Sequence, residues 1–529
     1  MYIYFIYLAV CVSYNKAHNI LAVFPYPGRS HGNLGDGVVR NLLREGHQVT
    51  YISPFTYMEA SSRLRMVDVS SNAELVPENM YNLDALINKQ FNIENHSELF
   101  TFLIKLMKHT TLNENVQKIL SNPQEKFDAV VIEWFFTELL AGYAVTFNCP
   151  LIWVSGLDSH WYILRLVDQP SNPAYTADVM SSRIPPFTFW ERVTELYIQL
   201  KILYLKYMYF NELERQEYEI LFLSHVMKRG RQLPNYYDIQ FNASLILGNS
   251  HVSLGKPLAV PQNYIHVGGY HIDDRVKPLS GNLGELLDNA ENGVIYFSLG
   301  SNLKSKDIPK EIRDSLLKMF SQLKQIVLWK FEDNLSETPH NVHVIKWAPQ
   351  HSILAHPNTV LFITHGGLLS TIETIHYGVP IIGIPIYGDQ HTNIKRSVNS
   401  GFAIRVDLSY NIAEDLKLAI HEIMNNSRYA QKTKELSFIY HDRPVTPGKE
   451  LVHWVRHVIE TRGAVHLRSP ALDVTFLQKF YLDLFALVLI FLVFIYISIK
   501  YLLNSITKIY VNQHLLCFGR IMSFTNKKK

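Results

Sequence analysis

The chain has almost no cysteine. Of 529 residues three are cysteine, and Cys11 and Cys517 fall in terminal segments that leave Cys149 alone in the body. A disulfide framework and a cysteine-based zinc site are thereby excluded. Charge is also scarce: charged residues are 18% of the chain against 47% apolar, with a net charge of +3 and both signs scattered. The basic stripe that nucleic acid demands is missing, so no nucleic-acid partner is expected. No Asp-X-Asp pair occurs, which argues against two aspartates holding a divalent metal on a diphosphate. There is no internal repeat and no low-complexity tract. What remains is a chain too long for one ordinary core, so two domains with appendages are expected, one of them meeting lipid.

The appendages are terminal. Tyr2 to Val10 is an apolar run, followed by small residues at Cys11, Ser13 and Ala17 that suit a signal peptidase, so residues 1–17 are read as a signal peptide. Leu484 to Ile499 carries no charge, and Tyr501-Leu502-Leu503 continues it beyond Lys500. That is about the ~20 residues a bilayer core requires, giving a transmembrane helix over 484–503. Lys508, Arg520 and Lys527 to Lys529 make 504–529 a basic cytoplasmic tail. By the positive-inside rule the body is then lumenal, a single-pass type I arrangement. Sequons at Asn95, Asn242, Asn334 and Asn425 agree with that placement.

Between the ends, short β-branched runs alternate with amphipathic stretches, as in parallel α/β proteins. Ile20 to Phe24 reads as a strand and Pro25 to Gly32 as a loop. A helix with Leu34, Val38 and Leu42 at four-residue spacing follows, then a strand over Val49 to Ile52. Further strands are expected at Ala129 to Ile132 and Pro150 to Val154. The stretch Phe187 to Leu223 is helical and aromatic; most of its rings are expected in the core, with an acceptor-lining or membrane-touching role as the alternative. Residues 257–279 read as the passage to a second α/β domain that opens with Gly293 to Ser301. The expected layout is an acceptor domain over 18–260 and a donor domain over 261–470, two Rossmann-like halves facing across a cleft.

The densest signal runs from Trp347 to Lys395. A buried strand, Val360 to Thr364, ends in His365-Gly366-Gly367 and enters a helix that passes Glu373 and stops at Gly378. Glycines at a helix N-terminus let a phosphate reach free N–H groups. His365 can add a hydrogen bond, Glu373 suits a ribose diol, and Trp347 offers a face for a base. Trp347-Ala348-Pro349-Gln350, His365-Gly366-Gly367, Glu373, Gly378-Val379-Pro380 and Asp389-Gln390 together resemble the signature of the UDP-glycosyltransferases. The likeness extends to Ser298-Leu299-Gly300-Ser301 and to the C-terminal span. It is closest to the animal membrane-bound branch, which includes the UDP-glucuronosyltransferases and invertebrate UDP-glucosyltransferases.

The resemblance implies a GT-B fold and a UDP-sugar donor in the C-terminal half. Trp347 would stack on uracil with Gln350 near the uridine, and Glu373 would bind the ribose. Ser301, His365, Gly367 and Ser370 would hold the diphosphate, and Asp389 and Gln390 the sugar. The family pattern has Asn where this chain has Leu369, leaving Ser370 to compensate. In the N-terminal half, His31 sits after the first strand and matches the family's catalytic base; a free imidazole near pKa ~6.5 suits that work at neutral pH. Its carboxylate partner would be Glu133, a glutamate where the family has aspartate, with Glu138 as fallback. The expected reaction is inverting, metal-independent and without a cofactor: a hexose, glucose or glucuronic acid, passes to a hydroxyl of a small lipophilic acceptor. The protein would reside in the endoplasmic reticulum membrane, with homo-oligomerisation left open. The contrasting expectation is a non-catalytic lumenal protein that only binds UDP-sugar or lipophilic ligands.

Overall fold

The computed structural model describes residues 16–57, 59–77, 96–167, 172–255, 258–279, 281–301, 305–335 and 337–525. Most of the leader expected over 1–17, and the sequon at Asn95, lie outside the described residues. The chain divides after Arg468 into a compact body and a C-terminal helical segment.

In the first half of the body seven strands form one parallel sheet: β1 (Asn19–Val23), β2 (Gln48–Ser53), β3 (Leu64–Asp68), β4 (Ala129–Trp134), β5 (Leu151–Ser155), β6 (Leu245–Gly248) and β7 (Tyr264–His266). Their order is β3-β2-β1-β4-β5-β6-β7. A parallel strand covered on both faces must be apolar throughout, because alternate side chains enter different cores. In β1, Leu21 and Val23 join one cluster while Ile20 and Ala22 join another. The second sheet holds β8 (Val294–Ser298), β9 (Ile326–Lys330), β10 (Val342–Ile345), β11 (Thr359–Thr364), β12 (Ile381–Gly383) and β13 (Ala403–Arg405), ordered β10-β9-β8-β11-β12-β13. Strand β7 arises inside the stretch read as a passage, so the first sheet continues past residue 260.

The helices that matter for the site are α1 (Arg29–Arg44), α2 (His96–Leu112), α3 (Phe189–Leu205), α4 (Asn211–Met227), α5 (Leu368–Tyr377), α6 (Gln390–Asn399), α7 (Ile412–Asn425), α8 (Pro447–Glu460) and α9 (Leu482–Thr525). Helix α8, late in the chain, returns to the first half and packs Leu451, Val455 and Val458 beside Ile20 and Val38. Helix α1 begins at Arg29, inside the segment read as a loop. Gly32 N–H bonds the Gly28 carbonyl at 3.1 Å and closes the first turn. Its glycines look like helix breakers, yet close packing requires them: a Cβ on Gly35 would lie 2.2 Å from Tyr51 Oη.

The aromatic stretch is also reversed from expectation. Trp190, Tyr197, Tyr204, Tyr207 and Tyr209 are exposed, and of the rings between 190 and 210 only Phe210 is buried. The inner side of α3 is polar instead, with Glu195 and Gln199 buried. Between α3 and α4 a π-turn, Lys206–Phe210, buries Lys206 with Nζ 2.9 Å from Glu138 Oε2 and 2.6 Å from Glu214 Oε2. Arg165 completes the cluster at 3.1 Å from Glu138 Oε1.

Helix α9 runs on past residue 503 to Thr525, a stretch with no proline to break it. Within Leu482–Leu516 its most apolar 18-residue stretch has mean hydropathy 2.8 and is nowhere buried, and the helix is long enough to cross a bilayer.

Removing Lys206 takes the cation from buried Glu214 and leaves Glu138 to Arg165. Lys206→Met is expected to cost about 3 kcal/mol, read as a lowered thermal transition of the detergent-solubilised full chain.

Candidate active site

In each sheet the chain changes direction between two central strands, β1 and β4 in the first and β8 and β11 in the second. At such a switch point neighbouring crossovers leave by opposite faces, and a crevice opens at the carboxyl ends of the strands. A single cleft of about 580 Å³ is lined from both crevices. His31, Ser301, Trp347, Gln350, His365, Gly367, Ser370, Glu373, Asp389 and Gln390 all face it. Glu133 stands behind His31, at the end of β4 and buried.

His31 occupies the first turn of α1, not a loop. Its Nδ1 is hydrogen-bonded to Glu133 Oε1, so the longer glutamate reaches the position expected of an aspartate. That contact engages one ring nitrogen and leaves Nε2 for the cleft. Tyr26 and Phe135 hold the ring, with centroids 4.3 Å and 4.9 Å away. The fallback Glu138 is not brought here. It accepts from Trp134 Nε1 at 3.1 Å and pairs with Lys206 and Arg165, which outweigh its burial and hold the carboxyl at about 2.

In the second crevice His365 is enclosed by glycines. A Cβ on Gly300 would lie 2.6 Å from His365 Cε1, and one on Gly367 2.7 Å from its Nε2. Burial, and then the charge of Lys330, pull this imidazole down to about 4, so it is neutral at physiological pH. Gly367 caps α5, and Gly378 ends the helix in the left-handed region at φ +72°. The first-turn N–H groups of α5 therefore open toward the cleft. Trp347 is 58% exposed, with Lys330 Nζ 5.7 Å from its ring centre.

Glu373 lies one turn into α5, and three side chains address it. Gln350 Nε2 donates to Oε2 at 2.5 Å, and His271 Nε2 and His351 Nε2 lie 3.3 Å and 3.2 Å from Oε1. Burial alone would raise this carboxyl, but the charge of His351 and the two histidine contacts hold it well below the usual range. His351 is raised in turn because Glu373 outweighs its burial, whereas for His271 burial dominates and lowers it. The ligating atoms of His271, His351 and Glu373 lie within 4.8 Å of one another, so these are the described residues able to hold a metal ion.

Ser370 Oγ accepts from Gln350 Nε2 at 3.1 Å, so it braces Gln350 rather than standing free. Asp389 is raised by burial against a hydrogen bond from Asn393. Gln390 Oε1 accepts from the backbone N–H groups of Ile386 and Tyr387 at 2.9 Å and 3.2 Å, fixing that turn. Sequence reasoning missed His271, His351 and Lys330. His351 directly follows the Trp-Ala-Pro-Gln motif, a signal within reach. His271 and Lys330 come from a turn and a strand far along the chain, and only the fold brings them in.

The profile of the family described as UDP-glucoronosyl and UDP-glucosyl transferase matches residues 21–514. UDP-glucosyltransferase 2 of Dactylopius coccus is 31% identical over 501 residues, covering 94% of this chain and 95% of its own. UDP-glucuronosyltransferase 2B7 of Homo sapiens is 32% identical over 380 residues, covering 71% of this chain and 69% of its own. Among solved structures, CalG4, the calicheamicin glycosyltransferase, aligns with a TM-score of 0.55 at 14% identity, covering 84% of this chain and 99% of its own. At that identity the likeness is one of fold.

Two outcomes follow from the geometry. Gly300 has φ +89° and no room beside His365, so Gly300→Ala is expected to weaken UDP binding about tenfold, read by titration calorimetry. The depressed imidazoles of His365 and His47, both at about 4, take up protons on unfolding before they do in the fold. Their contribution is complete above pH ~6.5 and is lost as pH falls toward about 4. Glu373, also depressed, acts in the same direction at lower pH, and His351, raised, in the opposite one. The melting temperature is expected to drop continuously between about pH 6.5 and about pH 4, as measured by a fluorescence melt.

Proposed function

The chain belongs to the UDP-glucoronosyl and UDP-glucosyl transferase family, a UDP-sugar-dependent glycosyltransferase of GT-B fold, and we propose that it transfers a hexose to a hydroxyl of a small lipophilic acceptor, with inversion and without a metal. The observation that carries this reading is the shared cleft. A carboxylate-held histidine stands at one switch point, and a glycine-lined helix N-terminus opens at the other.

Glu133 fixes the His31 ring and stabilises the imidazolium that forms when Nε2 takes the acceptor's proton. The freed oxygen attacks the anomeric carbon from the face opposite the diphosphate, which inverts the configuration. As the sugar–phosphate bond breaks, negative charge grows on UDP, and the N–H groups of α5 with neutral His365 receive it. Glu373, already charged and held by Gln350 and the two histidines, accepts from the ribose hydroxyls. Trp347 stacks on uracil, a contact worth about 1–3 kcal/mol per base. Ser301 and Gly367 address the diphosphate, and Asp389 and the amide nitrogen of Gln390 address the sugar.

Tyr26, Leu99, Phe135, Leu157, Val179 and Met180 line the His31 side of the cleft, which supports an apolar acceptor. Glucose is the favoured hexose, because the relative named a glucosyltransferase aligns over nearly the whole chain. The exposed sequons at Asn242, Asn334 and Asn425 and the long apolar helix support a lumenal body anchored in the endoplasmic reticulum membrane, where lipophilic compounds would be conjugated.

The test is acceptor-dependent UDP release from microsomes carrying the protein, with UDP-glucose or UDP-glucuronic acid and a panel of phenols. His31→Ala is expected to lower kcat by about 10³ while UDP still binds. Glu133→Gln is expected to lower kcat by about 10–10², with UDP binding again retained. Activity should survive a metal chelator. Its loss would point instead to an ion held by His271, His351 and Glu373.

A further inference from the structure

One carboxylate of the cleft has more partners than it needs. Glu373 is buried on α5, and the two residues that follow Trp347-Ala348-Pro349 address its oxygens separately. Gln350 Nε2 donates to Oε2 at 2.5 Å, and His351 Nε2 lies 3.2 Å from Oε1. One amide and one imidazole are enough to hold a buried carboxylate. His271, from the turn after β7, nevertheless brings a second imidazole to the same oxygen at 3.3 Å. It is 3% exposed and neither ring nitrogen makes a hydrogen bond, so Nε2 faces Oε1 without the alignment a bond requires. A buried polar atom left unpaired is costly and calls for a cause. The backbone behind it is nonetheless fixed: Arg40 of α1 donates to the carbonyls of Tyr270 and His271 at 3.3 Å and 2.9 Å.

The geometry suits a metal chelate. Two imidazole nitrogens and one carboxylate oxygen lie within 4.8 Å of one another, the one such group among the described residues. In a tetrahedral zinc site, ligand bonds of about 2.0–2.1 Å put neighbouring donor atoms roughly 3.3–3.4 Å apart. The two nitrogen–oxygen separations here, 3.3 Å and 3.2 Å, already match that edge. Gln350 supplies the support such a ligand set needs, since by holding Oε2 it turns Oε1 toward the histidines. His351 and Glu373 both line the cleft, so an ion has a way in and a water can complete its shell. The donor set also selects the metal. Two imidazoles with one carboxylate suit zinc, whereas Mg²⁺ and Ca²⁺ prefer oxygen alone.

We propose that His271, His351 and Glu373 bind Zn²⁺ as an inhibitory ion. Zinc and a uridine nucleotide then exclude one another, because both claim the Glu373 carboxylate. This exclusion rests on the transferase reading, whereas the metal site does not. By linkage each ligand weakens the other by the same factor. The ion takes no part in sugar transfer, in keeping with a reaction carried by His31 and the N-terminus of α5.

The experiment titrates Co²⁺, a spectroscopic stand-in for zinc, into the detergent-solubilised full chain. The intense visible bands of four-coordinate Co²⁺ are expected, with Zn²⁺ abolishing them and Mg²⁺ having no effect. His351→Gln and His271→Asn should each lose the bands while keeping a cooperative melt. His351, partly exposed at the cleft, decides the matter if the buried substitution fails to fold. His457→Gln should keep the bands; it controls for the pair His457 and His466, whose Nε2 atoms are 3.0 Å apart outside the cleft. Bands that persist in His351→Gln, or vanish in His457→Gln, would overturn the site. UDP is then added, its own binding having been measured by calorimetry on the metal-free chain. The bands should bleach, and Zn²⁺ at ten times its Kd should raise the KM for UDP-glucose about tenfold with kcat unmoved. UDP that binds without bleaching the bands would overturn the exclusion and leave the metal site standing. UDP that does not bind at all would overturn the transferase reading, and the exclusion with it.

Discussion

A parallel strand buried on both faces can present chemistry only where it ends. Its side chains are committed to two cores, and its backbone groups to two neighbours. At the carboxyl ends of β1 and β4 the neighbouring crossovers diverge, and the same happens at β8 and β11. Apart from Glu373, one turn further into α5, the polar groups of the site are consequently strand-end or first-turn residues, or reach in from a neighbouring loop. His31 follows β1, Glu133 sits at the end of β4, Gly300 follows β8, and His365 follows β11. The apolar faces on either side make the framework stiff, so the distance between His31 and the N-terminus of α5 is set by packing.

Within that frame the electrostatics are arranged before any ligand arrives. The carboxyl of Glu373 would be costly to bury alone. His271, His351 and Gln350 keep it ionised and fix both oxygens. His365 is treated in the opposite way: glycines close around it and Lys330 repels a proton, so the ring stays neutral and can donate without carrying charge. One site therefore holds a forced anion and a forced neutral imidazole within one helix, α5 and its entry.

Much of this arrangement is legible in the sequence. The cradle residues from Trp347 to Gln390 are close in sequence because one strand–helix–strand unit carries them, and a local pattern can be read locally. The start of α1 was not legible, since Gly28 and Gly32 look like a loop until Tyr26 and Phe55 are seen to need the space beside them. His271 and Lys330 were not legible either, because no local rule connects a turn after β7, or the end of β9, with α5. In the aromatic stretch the periodicity was correct and the direction wrong. A stripe at helical spacing tells that a helix has two faces, and only the partners of Glu195 and Gln199 decide which one turns inward.

The two departures from the family pattern resolve differently. Glu133 is one methylene longer than aspartate, and the first turn of α1 brings His31 to it, so the contact forms with the longer side chain. At Leu369 a polar contact has been replaced by packing. Leu369 belongs to α5 in the second half, yet it lies against the cluster of Ile20, Val38 and Val154 in the first. A single leucine there contributes roughly 1.5–3 kcal/mol when fully buried and less when, as here, it is only partly covered. That energy acts between the two halves, at the edge of the cleft. The leucine therefore favours apposition of the two crevices, while the N-terminus of α5 and the glycine-enclosed His365 remain in place beside it.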